Sequence, residues 1–194
     1  MKKILGLFLI LTIAFTSCDG RKTQHQALSD SIEEFKKTAT FEIDIYNPES
    51  YVEREVDTLL SNGYRVKIKA FTDMDNSVLF TKIKDTINYQ THYRNFKFDI
   101  RIEKEGQLIY NKRFNKLDVN EKLNYNSDQI SGSNLYNFDK LAVLKSIELV
   151  DESGLSNEVA IDIMYAIPES EKYALHRLII DEHGTSNFVQ IKVN

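Results

Sequence analysis

The chain has 194 residues, 42% hydrophobic and 28% charged, with a formal net charge of −4. That balance belongs to a folded globule and argues against disorder along most of the length. An acidic chain without a basic stripe is a poor nucleic-acid binder and has no polybasic membrane patch.

At the start, Lys2 and Lys3 precede an apolar run from Ile4 to Phe15 and the small residues Thr16 and Ser17. This is the order of parts in an export signal covering residues 1–17. About a dozen apolar residues fall short of the roughly 20 that a spanning helix needs, so a retained transmembrane anchor is not expected. Cys18, the only cysteine, follows directly. The run FTSC resembles the bacterial lipobox, with Phe15 where leucine is usual, and the resemblance implies cleavage before Cys18 and its lipidation. Each buried CH₂ of an acyl chain contributes about 0.8 kcal/mol, and stable anchoring takes more than one chain. With its one cysteine lipidated, the protein has no intramolecular disulfide and depends on its core.

Residues 18–40 read as a lipidated tether with a short helix. Asp30 and Ser31 are capping types, with Glu33 and Glu34 three positions on, and Leu28, Ile32, Phe35 and Ala39 share one helical face.

From residue 41 to 194 the period changes to two, as expected of a single β-rich domain. Phe41, Ile43, Ile45 form one such run; Tyr64, Val66, Ile68, Ala70 and Phe96, Phe98, Ile100, Ile102 form others. Arg65, Lys67, Lys69 and Lys97, Asp99, Arg101 fill the alternate positions, as in half-buried antiparallel strands. The pattern returns at Val159, Ile161, Ile163, Tyr165, Ile167 and at Val189, Ile191, Val193. Asn62-Gly63, Glu105-Gly106, Ser153-Gly154 and His183-Gly184 divide these runs where hairpin turns belong. Between about Asp118 and Ser146 the pattern blurs, and FDKLAVLKS reads as a helical turn or two before a strand. The fold class is therefore mainly β, an antiparallel sandwich-like domain with a small helical excursion.

The search for chemistry yields no catalytic, cofactor-binding or metal-ligating set. DMDNS opens like a calcium loop at Asp73, Asp75 and Asn76, but Val78 stands where glycine is needed and Lys84 where glutamate is needed, so a solvated turn is expected. His25, His92, His176 and His183 lack metal-ligand spacing, with His176 and Arg177 in a strand and His183 in a turn. Ser153, Ser156 and Ser186 lie near glycines outside any G-x-S-x-G elbow, and no phosphate-cradling glycine motif occurs. Asp44, Glu53, Glu55, Asp57 and Asp151, Glu152 read as wet strand faces and turns. Tyr89, Tyr93, Tyr110, Tyr125 and Tyr136 read as strand-face and sheet-edge residues. The chain has no tryptophan, which weighs slightly against a carbohydrate platform.

Three stretches, DTLLSNGYRVKIKAFTDMDNS (57–77), YRNFKFDIRIEKEGQLIYNKRFNK (93–116) and LIIDEHG (178–184), carry a resemblance to an uncharacterised lipoprotein family of Bacteroidota. The resemblance implies a lipid-anchored envelope protein and brings no catalytic residues with it. CDGRKTQ lacks the acidic run common in surface-exposed members, which implies the periplasmic face of the outer membrane. The expected partners are the membrane, through the N-terminal lipid, and an envelope protein, peptide or glycan. The expected role is a non-enzymatic binding or assembly module. The alternative is an envelope hydrolase whose acid and base come from separate strands.

Overall fold

The computed structural model describes residues 22–38, 41–123, 125, 136–151 and 157–194. These form a mainly β, sandwich-like structure of two sheets with three helices. The expected signal at residues 1–17, Cys18, Ala39, Glu152, the expected Ser153-Gly154 turn and Ser156 lie outside the described residues.

Helix α1 spans Gln24–Thr38. The expected caps Asp30 and Ser31 fall inside it. Thr23 opens the helix instead: its Oγ1 accepts from Gln26 N at 3.2 Å, and the Gln26 side chain accepts from Thr23 N at 3.0 Å. This reciprocal pair satisfies two N–H groups that the first turn would otherwise leave open. Ser31 turns its hydroxyl back to Ala27 O, and Asp30 pairs with Lys22.

The first sheet holds β1 (Phe41–Asn47), β2 (Glu53–Leu59), β3 (Tyr64–Lys84), β4 (Ile87–Lys104) and β5 (Gln107–Phe114). Its order is β1-β4-β3-β2, with β5 also on β4. The second sheet is an antiparallel meander of β6 (Val143–Val150), β7 (Glu158–Ala166), β8 (Tyr173–Asp181) and β9 (Ser186–Val193). Helices α2 (Lys116–Lys122) and α3 (Phe138–Leu141) supply the excursion expected between the sheets. The N-x-x-D spacing of Asn115 and Asp118 caps α2 reciprocally.

The chain divides into two compact units. The smaller takes in α1, the start of β1 through Ile43, and Ile83–Asn88 around the β3–β4 turn; the larger takes in Asp44–Lys82 and Tyr89–Asn194.

The larger unit holds the core. Tyr64, Val66 and Ile68 of β3 and Phe98, Ile100 and Ile102 of β4 are buried with Val159, Ile161, Ile163 and Tyr165 of β7 and Leu178 and Ile180 of β8. Each fully buried apolar side chain of this size contributes about 1.5–3 kcal/mol. Phe114 ties the layers, stacking on Phe98 at 5.1 Å and meeting Phe188 of β9 edge-on at 5.9 Å.

Gly63, at φ +85°, turns β2 into β3, where Leu60 N donates to Tyr64 O at 2.8 Å. Gly184, at φ +76°, turns β8 into β9, and a Cβ on it would stand 2.4 Å from the carbonyl oxygen of Ile109 in β5.

Further expectations are corrected. DMDNS is not a turn but part of β3, which runs unbroken to Lys84; the reversal comes at Asp85, in the left-handed region at φ 57°. Asp73 is buried rather than solvated, its carboxylate accepting from Lys97 Nζ, Asp75 N and Asn76 Nδ2 at 3.0–3.2 Å. Asp73 meets Lys97, two odd-numbered residues, whereas Ser77 meets His92 and Phe80 meets Tyr93. The facing slips by one residue between these contacts, as a bulge requires.

Phe41, Ile43 and Ile45 do not face a core, since every residue of β1 is exposed. In β9 it is Phe188 that packs inward, and Val189 and Ile191 face out. Alternation marks an apolar face but not whether a second layer covers it.

Finally, β1 departs from the antiparallel rule. Its contacts advance together along both strands, Phe41 with Thr86, Glu42 with Asn88, Asp44 with His92, Tyr46 with Arg94, so it runs parallel to β4. Residues 48–52 then cross from this edge to β2 on the other. They are held on the way by Arg94 Nε donating to Pro48 O and by Thr72 N donating to Val52 O at 2.9 Å.

Candidate functional site

The outward face of the first sheet beyond the crossing is a mat of ion pairs. Glu53, Glu55 and Asp57 on β2 meet Lys69, Lys67 and Arg65 on β3 at 2.8–2.9 Å. Asp99 and Arg113 pair through two bonds across β4 and β5, and Arg101 meets Glu103 within β4. A shallow depression lies among Asp57, Arg65, Lys67, Arg101 and Glu103. A hydrolase acid in that depression would need a carboxyl raised towards neutrality. The opposite is found: hydrogen bonds from Arg65 and Arg113 hold Asp57 and Asp99 below the usual carboxylate range, and those from Tyr51 and Lys69 lower Glu53. These groups remain ionised and fix strand register.

On the stretch of sheet before the crossing, three adjacent strands bring a different set together. His92 of β4 has Nε2 3.0 Å from Asp44 Oδ1 of β1, and its Nδ1 lies 3.5 Å from Ser77 Oγ of β3, at the limit of a hydrogen bond. A carboxylate only accepts, so Nε2 is the donor to Asp44, and in a neutral ring of that tautomer Nδ1 is the nitrogen that accepts from the serine. The ring of Tyr46 stacks on His92 at 4.6 Å, and the Arg94 guanidinium sits 4.5 Å over the same tyrosine. Arg94 is held in turn by the carbonyls of Pro48 and Met74. Tyr46 itself stays 42% exposed. The result is an aromatic platform whose neighbours are locked before anything binds.

The second sheet buries one polar pair. His176 is fully enclosed, and Tyr125 Oη lies 2.6 Å from its Nε2, with Phe138 against the tyrosine ring. Burial pushes His176 down to about 4, so it is neutral near pH 7. Among the described residues, His176 Nδ1 and Tyr165 Oη have no hydrogen-bond partner. At the edge of this layer Lys116 Nζ donates to Lys140 O and Asn120 Nδ2 to Asp139 O, clamping α2 to α3; burial pushes Lys116 down to about 8.

Of the histidines singled out from sequence, His25 lies on α1, His92 and His176 have the roles just described, and His183 is in the β8–β9 turn. No three His, Cys, Asp or Glu among the described residues are placed to hold a metal ion, and no described helix is long and apolar enough to cross a membrane. Tyr125 is not the strand-face residue expected but a core residue between strands. The Asp44–His92–Ser77 row and the Tyr46 stack were missed, because their residues lie up to 48 positions apart and each strand shows only a polar alternate face. No family model matches the chain, and no curated protein matches it.

Proposed function

We propose that this protein is an envelope lipoprotein, held by acyl chains on Cys18 at the periplasmic face of the outer membrane. Its role there is that of a non-enzymatic binding module with a contact surface centred on Tyr46. The anchor rests on the sequence, on Lys2, Lys3, the Ile4–Phe15 run and FTSC. The binding role rests on the Tyr46 platform. Tyrosine and arginine are the residue types that dominate binding hot spots, and a side chain already immobilised loses little entropy on association.

Two experiments test the reading separately. Cys18→Ser is expected to remove acylation and deplete the protein from the membrane fraction; full retention there sinks the anchor. Tyr46→Ala is expected to weaken in-cell crosslinking to an envelope partner, with a loss of roughly 30-fold in affinity, the effect of truncating a hot spot worth about 2 kcal/mol. Undiminished crosslinking by Tyr46→Ala would move the contact surface elsewhere.

The Asp44–His92–Ser77 row favours a second reading, an acyl hydrolase with serine as nucleophile and histidine as base. It ranks below binding because Arg94, the cation over Tyr46, commits two of its N–H groups to carbonyls instead of a developing oxyanion. Serine-dependent turnover of a p-nitrophenyl ester, lost in Ser77→Ala, would reverse the order.

A further inference from the structure

Within the smaller unit, α1 carries Leu28, Ile32 and Phe35 at the i, i+4, i+7 spacing of one helical face. The Phe35 ring meets Phe41 of β1 edge-on at 6.3 Å, and Ile43 continues the same strand face. All five side chains are between 40% and 60% exposed, and no residue of this unit that is described is buried. A helix and strand edge that leave this much apolar surface in water carry an interaction surface rather than a core.

The chain preceding the helix points to the occupant. Only five residues separate Cys18 from Gln24, so the connection reaches at most about 22 Å fully extended and about 13 Å as a flexible coil. An acylated Cys18 sits in the headgroup layer, and α1 is therefore kept within one helix diameter or two of that layer. The charges select the lipid. Lys22, Lys36 and Lys37 are balanced by Asp30, Glu33 and Glu34, so the segment has no net attraction to anionic headgroups. Its binding is that of an interfacial amphipathic helix driven by apolar burial.

We infer that the Leu28–Ile32–Phe35 face of α1, extended by Phe41 and Ile43, seats on the zwitterionic lipid surface as a second membrane contact. The choice of lipid as occupant rests on the anchor reading above. The seat lays the helix along the bilayer and gives the smaller unit a fixed face towards the membrane.

The absence of tryptophan makes the test clean. Full-length protein carrying Leu28→Trp is purified and incorporated in vesicles of phosphatidylcholine and phosphatidylethanolamine, with and without bromine on the acyl chains. The introduced indole is expected to emit to the blue of its position in buffer and to lose at least half its intensity in brominated vesicles; adding Ile32→Ser should restore most of it. Emission unmoved by lipid or bromine overturns the seat. A blue shift without quenching assigns the face to a second copy of the chain and overturns it equally. The mass of the N-terminal peptide reports acylation independently. Acylated protein without quenching keeps the anchor and rejects the seat, and quenching of unacylated protein keeps the seat and rejects the anchor.

Discussion

Gly184→Ala is expected to lower the unfolding free energy by about 2–5 kcal/mol, whereas Gly63→Ala should cost about 1–2. Both glycines occupy the left-handed region, at φ +76° and +85°, and a side chain there costs about 1–2 kcal/mol in either turn. The difference lies in what the new methyl meets. At Gly63 nothing stands within 4 Å of the added carbon, but at Gly184 the Ile109 carbonyl oxygen lies 2.4 Å away. A backbone atom in a paired strand cannot rotate aside, so β5 or the β8–β9 turn must shift, and overpacking of that kind typically costs a further 1–3 kcal/mol. Urea midpoints at unchanged slope measure both variants. Equal losses would mean that the turn does not press on β5.

Stability should fall by about 3 kcal/mol between pH 6.5 and pH 4, through one residue. His176 is held down from 6.5 to about 4 by burial, so between these values the unfolded chain binds a proton that the folded one refuses. Stability is therefore greatest above 6.5, declines as pH drops, and levels off below 4 for this group; the full shift is worth about 3 kcal/mol. The paired carboxylates act in another window. Asp57, Asp99 and Asp73 are lowered in the fold, so their contribution is present above the unfolded value of about 4 and is lost below it. Denaturant titrations of wild type and His176→Leu at pH 7, 5.5 and 4.5 separate the two. The variant is expected to start less stable, with Tyr125 Oη left unpaired, and to show a flat profile over this range. An equally steep profile would place the acid-sensitive group elsewhere.

Much of the fold was legible because the core strands alternate strictly. Val159 to Ile167 and Phe98 to Ile102 read as half-buried strands and are so, and Asn62-Gly63 turns where an asparagine-glycine pair should. Legibility failed where a local pattern had two physical readings. Asp73, Asp75 and Asn76 are turn residues by composition, yet Asp73 is drawn into β3 by Lys97, which lies 24 positions on and whose ammonium pays for burying the carboxylate. Phe41, Ile43 and Ile45 alternate as core residues do, and nothing local says that their face is left open. The candidate site was not legible at all. Asp44, Ser77 and His92 become neighbours only because a parallel strand joins an antiparallel hairpin, and sequence spacing carries no trace of that pairing.

The crossing segment 48–52 has a mechanical side. Within the larger unit, load on β1 is carried by evenly spaced, slanted bonds to the parallel β4. Behind β1, the tie of Pro48 to Arg94 returns load to β4 and that of Val52 to Thr72 passes it to one further strand, β3, before β2 takes any. A pull on the leading end of β1 is therefore shared with β4 and β3 before it reaches β2.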